Sequence, residues 1–282
     1  MEALEADTSI AGVYESSRRT PEARGRPDVS VVLPAQQALF RRSEQVKTAL
    51  ATSIGHDLMT RITVIRAAAS NLRSLSLGAE DRIEQSDLIL AESERLHRLV
   101  QNIVETIRIE GSPILPEPRW AFPSEIIAAA RHQIERTLEQ HTVEVAVDTE
   151  VAVHLDPRLT AKALAHLLEN AAQYAPPGSP ILIEARHTDD AFEITVADCG
   201  PGVASVDLPH VFDRCYRGIA GRSRASGTGL GLWIARELAA AGRGCVSVAN
   251  RLDGGAAFTI VVPAPSGRND ACPLRDLSVE RT

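Results

Sequence analysis

The sequence predicts an α+β chain in two parts, a two-helix hairpin followed by an α/β sandwich, and three features predict it. Apolar residues recur at helical spacing along two long stretches between residues 35 and 111. A short Gly-containing turn, Leu77-Gly78-Ala79, separates those stretches. After Gly111-Ser112-Pro113 the pattern changes, and strand-like runs alternate with helix-like ones.

The elements follow in order. Residues 1–34 mix charge, Ser, Gly and Pro, with a linking composition in RRTPEARGRPD and one short strand-like run, VSVVL. From Ala35 onward Val46, Leu50, Ile54, Leu58, Ile62, Ile65, Ala69 and Leu72 form one apolar stripe. Past the turn, Ile83, Leu88, Leu96, Leu99, Ile103 and Ile107 form a second, with Glu92, Glu94, Arg95 and Arg98 between them. Such a hairpin cannot bury both stripes by itself, and a second copy would complete a four-helix bundle, so a homodimer is expected. Pro116 and Pro118 extend the break after the second helix, and a helix is predicted from Ser124 to Glu139, then a strand from Val143 to Val147. Asp156-Pro157 is a strong helix start, with Asp as cap and Pro in the first turn. That helix carries Leu159 to Tyr174 and stops at Pro176-Pro177-Gly178. Strands at Ile181–Ala185 and Phe192–Asp198 follow, then a glycine-rich loop, a helix through LGLWIARELAAA, and closing strands CVSVAN and AFTIVV. The expected divisions are an arm at 1–34, the hairpin at 35–111, the sandwich at 112–265 and a flexible tail at 266–282.

Composition narrows the class. Hydrophobic residues make up 44%, enough for real cores, but aromatics only 4%, so those cores must rest on Leu, Ile, Val and Ala. A formal charge of -7 weighs against a nucleic-acid partner. Cys199, Cys215, Cys245 and Cys272 are widely spaced and form no CxxC pair, so neither a zinc site nor a disulfide framework is indicated. Thiols of a reducing compartment are the expected reading. No stretch approaches the roughly 20 apolar residues of a bilayer span. The acidic N-terminus also lacks a leader pattern. A cytoplasmic protein without direct membrane insertion is expected.

Four short constellations carry chemistry. In SIGHDLMTRITVI, His56 lies about 200° around a helix from Ile54 and Leu58, so it points away from the hairpin core. A neutral imidazole there is a competent nucleophile, with Asp57 beside it to accept or orient its proton. In HLLENAAQY, Asn170 offers a hard oxygen suited to Mg²⁺ held against phosphates, with Glu169 next to it. In ADCGPGV, Asp198 sits at a strand end before Gly200 and Gly202, which also suits a plain turn. In ASGTGLGLWIAREL, Gly227, Gly229 and Gly231 run into a helix whose free N–H groups suit an anion, although no Walker ending is present. Taken singly, each fits a bland explanation: a solvated histidine, a surface Asn, a turn, a loop. His97, His132 and His187 receive that bland reading.

The order and spacing of the series do not. His56-Asp57, Asn170, Asp198-x-Gly200-x-Gly202, Phe212-Asp213-Arg214-x-Tyr216-Arg217 and Gly227-x-Gly229-x-Gly231 together resemble the sensor histidine kinase transmitter, from about Arg41 to Pro263. AAASNLRSL, ERLHRLVQNIVE and LLENAAQYAPPGSPI look most like the KdpD-type transmitters. The resemblance implies a dimerising His-phosphotransfer hairpin and a GHKL-type ATP-binding domain. It implies ATP-dependent autophosphorylation on His56, with Asp57 as base and Glu169 as helper, and transfer to an aspartate of a response regulator. Thr60 matches the position linked to dephosphorylating that regulator. Asn170 would hold Mg²⁺, and Asp198 would accept the adenine amino group beside Gly200, Gly202 and Tyr174. Arg214 and Arg217 would contact phosphate, while Gly227, Gly229, Leu230 and Gly231 would form the closing loop.

Four positions depart from the family pattern. Met59 and Arg61 stand where the family has Arg and Pro, which removes a helix kink and predicts a stiffer hairpin. His166 stands where a second Asn is common, and Gln173 where Lys is common, which removes a positive charge near the phosphates. These departures feed the alternative reading, a degenerate transmitter that binds nucleotide or partner without kinase activity. Another ATPase of the same nucleotide fold is disfavoured by the His-Asp hairpin ahead of it.

Overall fold

The computed structural model describes residues 54–74, 76–148, 151–188, 190–218 and 228–265, all within one compact unit, Thr52–Thr282. Expectations for the arm, the VSVVL run, Val46, Leu50, Gly227, Cys272 and the tail lie outside the described residues.

Helix α1 (residues 54–71) and helix α2 (Ala79–Gly111) form the hairpin. Its turn is held from the α2 side. The Arg82 guanidinium donates to the carbonyls of Leu72, Ser74 and Leu77 at 3.2, 2.9 and 3.3 Å, satisfying acceptors that the end of α1 leaves open. The Gly78 N–H donates to Asp81, which caps the start of α2. Ala68 and Leu99 are buried between the helices, but Ile83 and Ile107, placed by their spacing in the buried stripe, are 63% and 62% exposed. Ala69 is exposed as well, its neighbour Ala68 taking the inward position. Two helices cover only one flank of each other, and the stripe here is wider than that flank. The helix α1 runs unbroken through Arg61, which donates to Glu92 of α2 at 3.1 Å, with Arg95 on the other carboxylate oxygen. Thr60 and Thr63 return their hydroxyls to the carbonyls of His56 and Met59.

The second part is a five-stranded sheet packed on helices. Its strands are β2 (Thr142–Val147), β4 (Pro180–His187), β5 (Ala191–Ala197), β6 (Cys245–Asn250) and β7 (Ala256–Pro263), in the order β2-β4-β5-β7-β6. Only β2 and β4 are parallel. Alternate residues on the three inner strands (Ile181, Ile183, Phe192, Ile194, Val196, Phe258 and Ile260) are buried under α5 (Pro157–Tyr174) and α6 (Gly231–Ala241). Asp156 caps α5 as its sequence predicts, accepting from the N–H groups of Arg158 and Leu159 at 2.9 and 3.2 Å.

Two details depart from expectation. Two short strands, β1 (Arg119–Ala121) and β3 (Val153–Leu155), pair antiparallel in a sheet of their own, anchored where Asp156 also accepts the Glu117 N–H at 2.8 Å. The helix expected from Ser124 to Glu139 is two: α3 (Pro123–Gln133) and α4 (Glu135–Leu138), broken at Ile134 with φ -129 and ψ 24. Ile134 and Leu138 both bury their side chains, and the chain re-aims there to keep them inside. Among the described residues no helix is long and apolar enough to cross a membrane.

Candidate nucleotide site

A cavity of about 430 Å³ opens between α5, the loop after β5, the segment 211–218 and the start of α6. The outward face of α5 supplies His166, Glu169, Asn170, Gln173 and Tyr174, which recur at helical spacing opposite the buried Leu164, Leu167, Leu168 and Ala171. Asp198 and Gly202 form the wall after β5, and Arg217, Gly229 and Gly231 the opposite rim.

Asp198 is 2% exposed, and burial pushes its carboxyl above the usual range. One carboxylate oxygen accepts the Gly200 N–H at 2.7 Å and the Ala256 N–H at 3.3 Å, which fixes the side chain at the cavity wall. The loop behind it is clamped by Asn250 at the end of β6. Its amide accepts from the Val203 N–H and donates to the Val203 carbonyl, both at 2.7 Å. Gly202 has φ +73, and a Cβ there would stand 2.9 Å from the Asn250 oxygen, so the clamp requires glycine. Sequence reasoning missed Asn250; a terminal strand Asn facing a Gly-Pro-Gly loop was the available signal.

The opposite rim is built on a second close approach. Gly229 has φ +69, and a Cβ on it would meet the Tyr216 carbonyl at 2.5 Å. The Cys215 N–H donates to the Gly229 carbonyl at 3.0 Å, and Cys215 itself is left-handed, with φ 61. Burial pushes the Cys215 thiol up, the opposite of a reactive thiolate. Tyr216 donates its hydroxyl to the buried Asp207 at 2.8 Å, a second pair that sequence reasoning missed. Leu230 is fully buried below the rim, and Gly231 begins α6, whose first N–H groups have no helical partner.

The hairpin reaches this site from one side. Asn102 of α2 lines the cavity, a residue that sequence reasoning did not single out. Arg98 of α2 pairs with Glu169 at 3.1 Å, and Glu105 takes Lys162 at 2.9 Å and His166 at 3.5 Å. Glu110 pairs with Arg214, whose guanidinium lies 5.4 Å from the Trp233 ring centroid. Glu94 pairs with Arg136. Arg214 therefore faces the hairpin and, unlike Arg217, is absent from the cavity lining. His56 is 81% exposed, with Asp57 the nearest carboxylate at 3.9 Å from Nδ1. Thr60 is exposed one turn along. Gln173 lines the cavity as well. His97 and His132 contact Gln101 and Glu135, four and three residues further along the chain, and His187 ties the end of β4 to the Ala264 carbonyl at 2.9 Å.

Residues 155–266 match the family of histidine kinase-, DNA gyrase B- and HSP90-like ATPases. Fold and cavity together thus define an ATPase domain of this class. The sensor-like histidine kinase SenX3 of Mycobacterium tuberculosis is 31% identical over 238 residues, 83% of this chain and 58% of that protein. The sensor protein KdpD of Escherichia coli is 30% identical over 230 residues, 81% of this chain and 26% of that protein, a likeness of the same degree. The solved Acinetobacter baumannii histidine kinase AdeS matches 74% of this chain and 97% of its own with a TM-score of 0.55, at 21% identity, and shows a shared fold. Residues 155–266 are an ATPase domain of this class, and the helical hairpin ahead of it lies within the stretch similar to the sensor kinases SenX3 and KdpD. The chain spans a little over half the length of SenX3.

Proposed function

We propose that this chain phosphorylates its own His56 from ATP and passes the phosphoryl group to an aspartate of a response regulator, working as a homodimer. The observation that carries this reading is an exposed His56 beside the largely buried Asp57 on the hairpin, in the same chain as the cavity formed by Asn170, Asp198 and Gly229. Asp198 would accept the adenine amino group, with Tyr174 against the base. Gly229 and Gly231 leave room for phosphates at the N-terminus of α6. Arg217 supplies positive charge. Asn170 fits Mg²⁺, being a neutral oxygen donor on the cavity wall, and the cation supplies charge neutralisation for the phosphates.

Asp57 stands on the Nδ1 side of His56, so Nε2 is the free nucleophile. The Nε2 lone pair forms the N–P bond as the P–O bond to ADP breaks, and the ring then sheds its Nδ1 proton toward Asp57. Glu169 is a further candidate to assist, once released from Arg98. Thr60, one turn beyond His56, would take part when the regulator is dephosphorylated. The dimer reading rests on Met59, Ile62, Ile83, Leu90, Val100, Val104 and Ile107, all exposed on the hairpin.

The test is incubation with γ-labelled ATP and Mg²⁺ beside His56→Ala and Asn170→Ala, with molar mass measured by light scattering. Acid-labile, base-stable label lost in both variants, on a dimer, is expected. Nucleotide binding with no label in the unaltered protein would instead favour a regulator without kinase activity.

A further inference from the structure

His166 is the residue in the cavity whose environment the reading above does not use. It lies one helical turn before Asn170, on the same face of α5, and both side chains line the cavity. Its side chain is 11% exposed, and its two ring nitrogens have different surroundings. Nε2 faces the Glu105 carboxylate of α2 at 3.5 Å. Nδ1 is buried and has no hydrogen-bond partner among the described residues. It sits beside Gly231, 3.7 Å from where a Cβ on that glycine would stand.

Glu105 fixes the tautomer. Its carboxylate lies 3.5 Å from Nε2 and is itself held by Lys162 at 2.9 Å. A carboxylate oxygen can only accept, so Nε2 is the ring nitrogen placed to donate to it. Nδ1 is left as the other ring nitrogen, buried beside Gly231 at the cavity rim with no donor to satisfy it. A buried acceptor without a partner is unfavourable, and an arriving cation removes the penalty. Carboxylate, imidazole and cation in line is the usual way a protein orients a histidine ligand and raises its basicity. Among the described residues no cluster of three acidic, His or Cys side chains can hold a metal unaided, so the cation would come with the nucleotide phosphates.

We infer that His166 Nδ1 is a direct ligand to the divalent cation that accompanies the nucleotide, sharing it with Asn170, and that the site consequently favours Mn²⁺ or Co²⁺ over Mg²⁺. The inference rests on the nucleotide-binding reading above. Mg²⁺ is hard and gains little from an imidazole nitrogen, whereas affinity for nitrogen donors rises along the series from Mn²⁺. Glu105 is then a positioning residue, and it stands on the hairpin, so the cation site is complete only while α2 lies against α5.

The experiment uses the full chain with a non-hydrolysable ATP analogue. Nucleotide affinity is measured by calorimetry in Mg²⁺, Mn²⁺ and Co²⁺. In parallel, Mn²⁺ pulsed EPR is recorded on protein carrying ¹⁴N- or ¹⁵N-histidine, which separates imidazole from adenine nitrogen. The unaltered protein is expected to show histidine nitrogen coupling and a marked preference for Mn²⁺. His166→Asn, which supplies an oxygen donor instead, should abolish the coupling and lower Mn²⁺-dependent affinity by about tenfold, a larger loss than in Mg²⁺, so that the preference for Mn²⁺ disappears. Glu105→Gln should weaken the Mn²⁺ preference in the same direction. Mn²⁺-nucleotide binding with no histidine coupling, or with the same metal preference in His166→Asn, overturns the inference and leaves the nucleotide site intact. Absence of any divalent-dependent nucleotide binding in the unaltered protein overturns the site reading itself.

Discussion

Replacing Glu105 by Gln removes the charge at the centre of the contact between hairpin and ATPase domain, and the structure sets the size of the effect. Its carboxyl is held at about 2 against an ordinary 4.5, a drop that taken at face value is worth roughly 3 kcal/mol. Lys162 is 44% exposed, so solvent and salt screen the pair, and about 1 kcal/mol is the realistic expectation. Because the folded value lies below the unfolded one, this contribution is complete above pH 4.5 and disappears as pH falls toward 2. Urea unfolding of the unaltered protein, Glu105→Gln, Lys162→Met and the double variant gives the coupling energy directly. Amide exchange along α2 reports where the loss falls, and the amides nearest Glu105 should exchange faster while the β5 and β7 core stays protected. Repeating the comparison at pH 5 and pH 3 should show the gap between unaltered protein and Glu105→Gln narrowing at the lower pH. A coupling energy near zero, or a gap that does not change with pH, would refute the assignment of Glu105 as an ionised anchor.

Two other substitutions test the walls of the cavity. Gly229→Ala places a Cβ against the Tyr216 carbonyl at a left-handed position, so a loss of about 1–3 kcal/mol in stability and at least tenfold in nucleotide affinity is expected, read by thermal unfolding and calorimetry. Asn250→Ala removes both bonds to the Val203 peptide and should cost about 1–3 kcal/mol, with nucleotide affinity falling; Asn250→Asp, which keeps the acceptor and loses the donor, should fall between.

The parts of this protein legible in its sequence are those set by short-range rules. The helical period of the hairpin, the stop at Gly111-Ser112-Pro113 and the Asp156-Pro157 start all appear where spacing and capping put them. Asn170, Tyr174, Asp198, Gly202, Arg217, Gly229 and Gly231 were found from motif order, and the fold brings them to one cavity. What escaped depends on neighbours distant in the chain. Ile134 carries no breaker chemistry, and its bend arises from burying Ile134 and Leu138 together. Strands β1 and β3 are too short to show a period and exist because each supplies the other's hydrogen bonds. Arg98, Glu105 and Glu110 read as solvated charges on α2, and only their partners on the ATPase domain make them anchors. Arg214 belongs to the same group: its motif predicts phosphate contact, whereas here Glu110 holds it at the hairpin.

The hydrogen bond from Cys215 to Gly229 ties together the two stems of the rim before any ligand arrives. Bringing Cys215 and Gly229 together is thus part of folding, and its entropic cost is met before a nucleotide binds. The rim therefore meets its ligand with the backbone spacing of Cys215 and Gly229 already set, and binding has less left to order there.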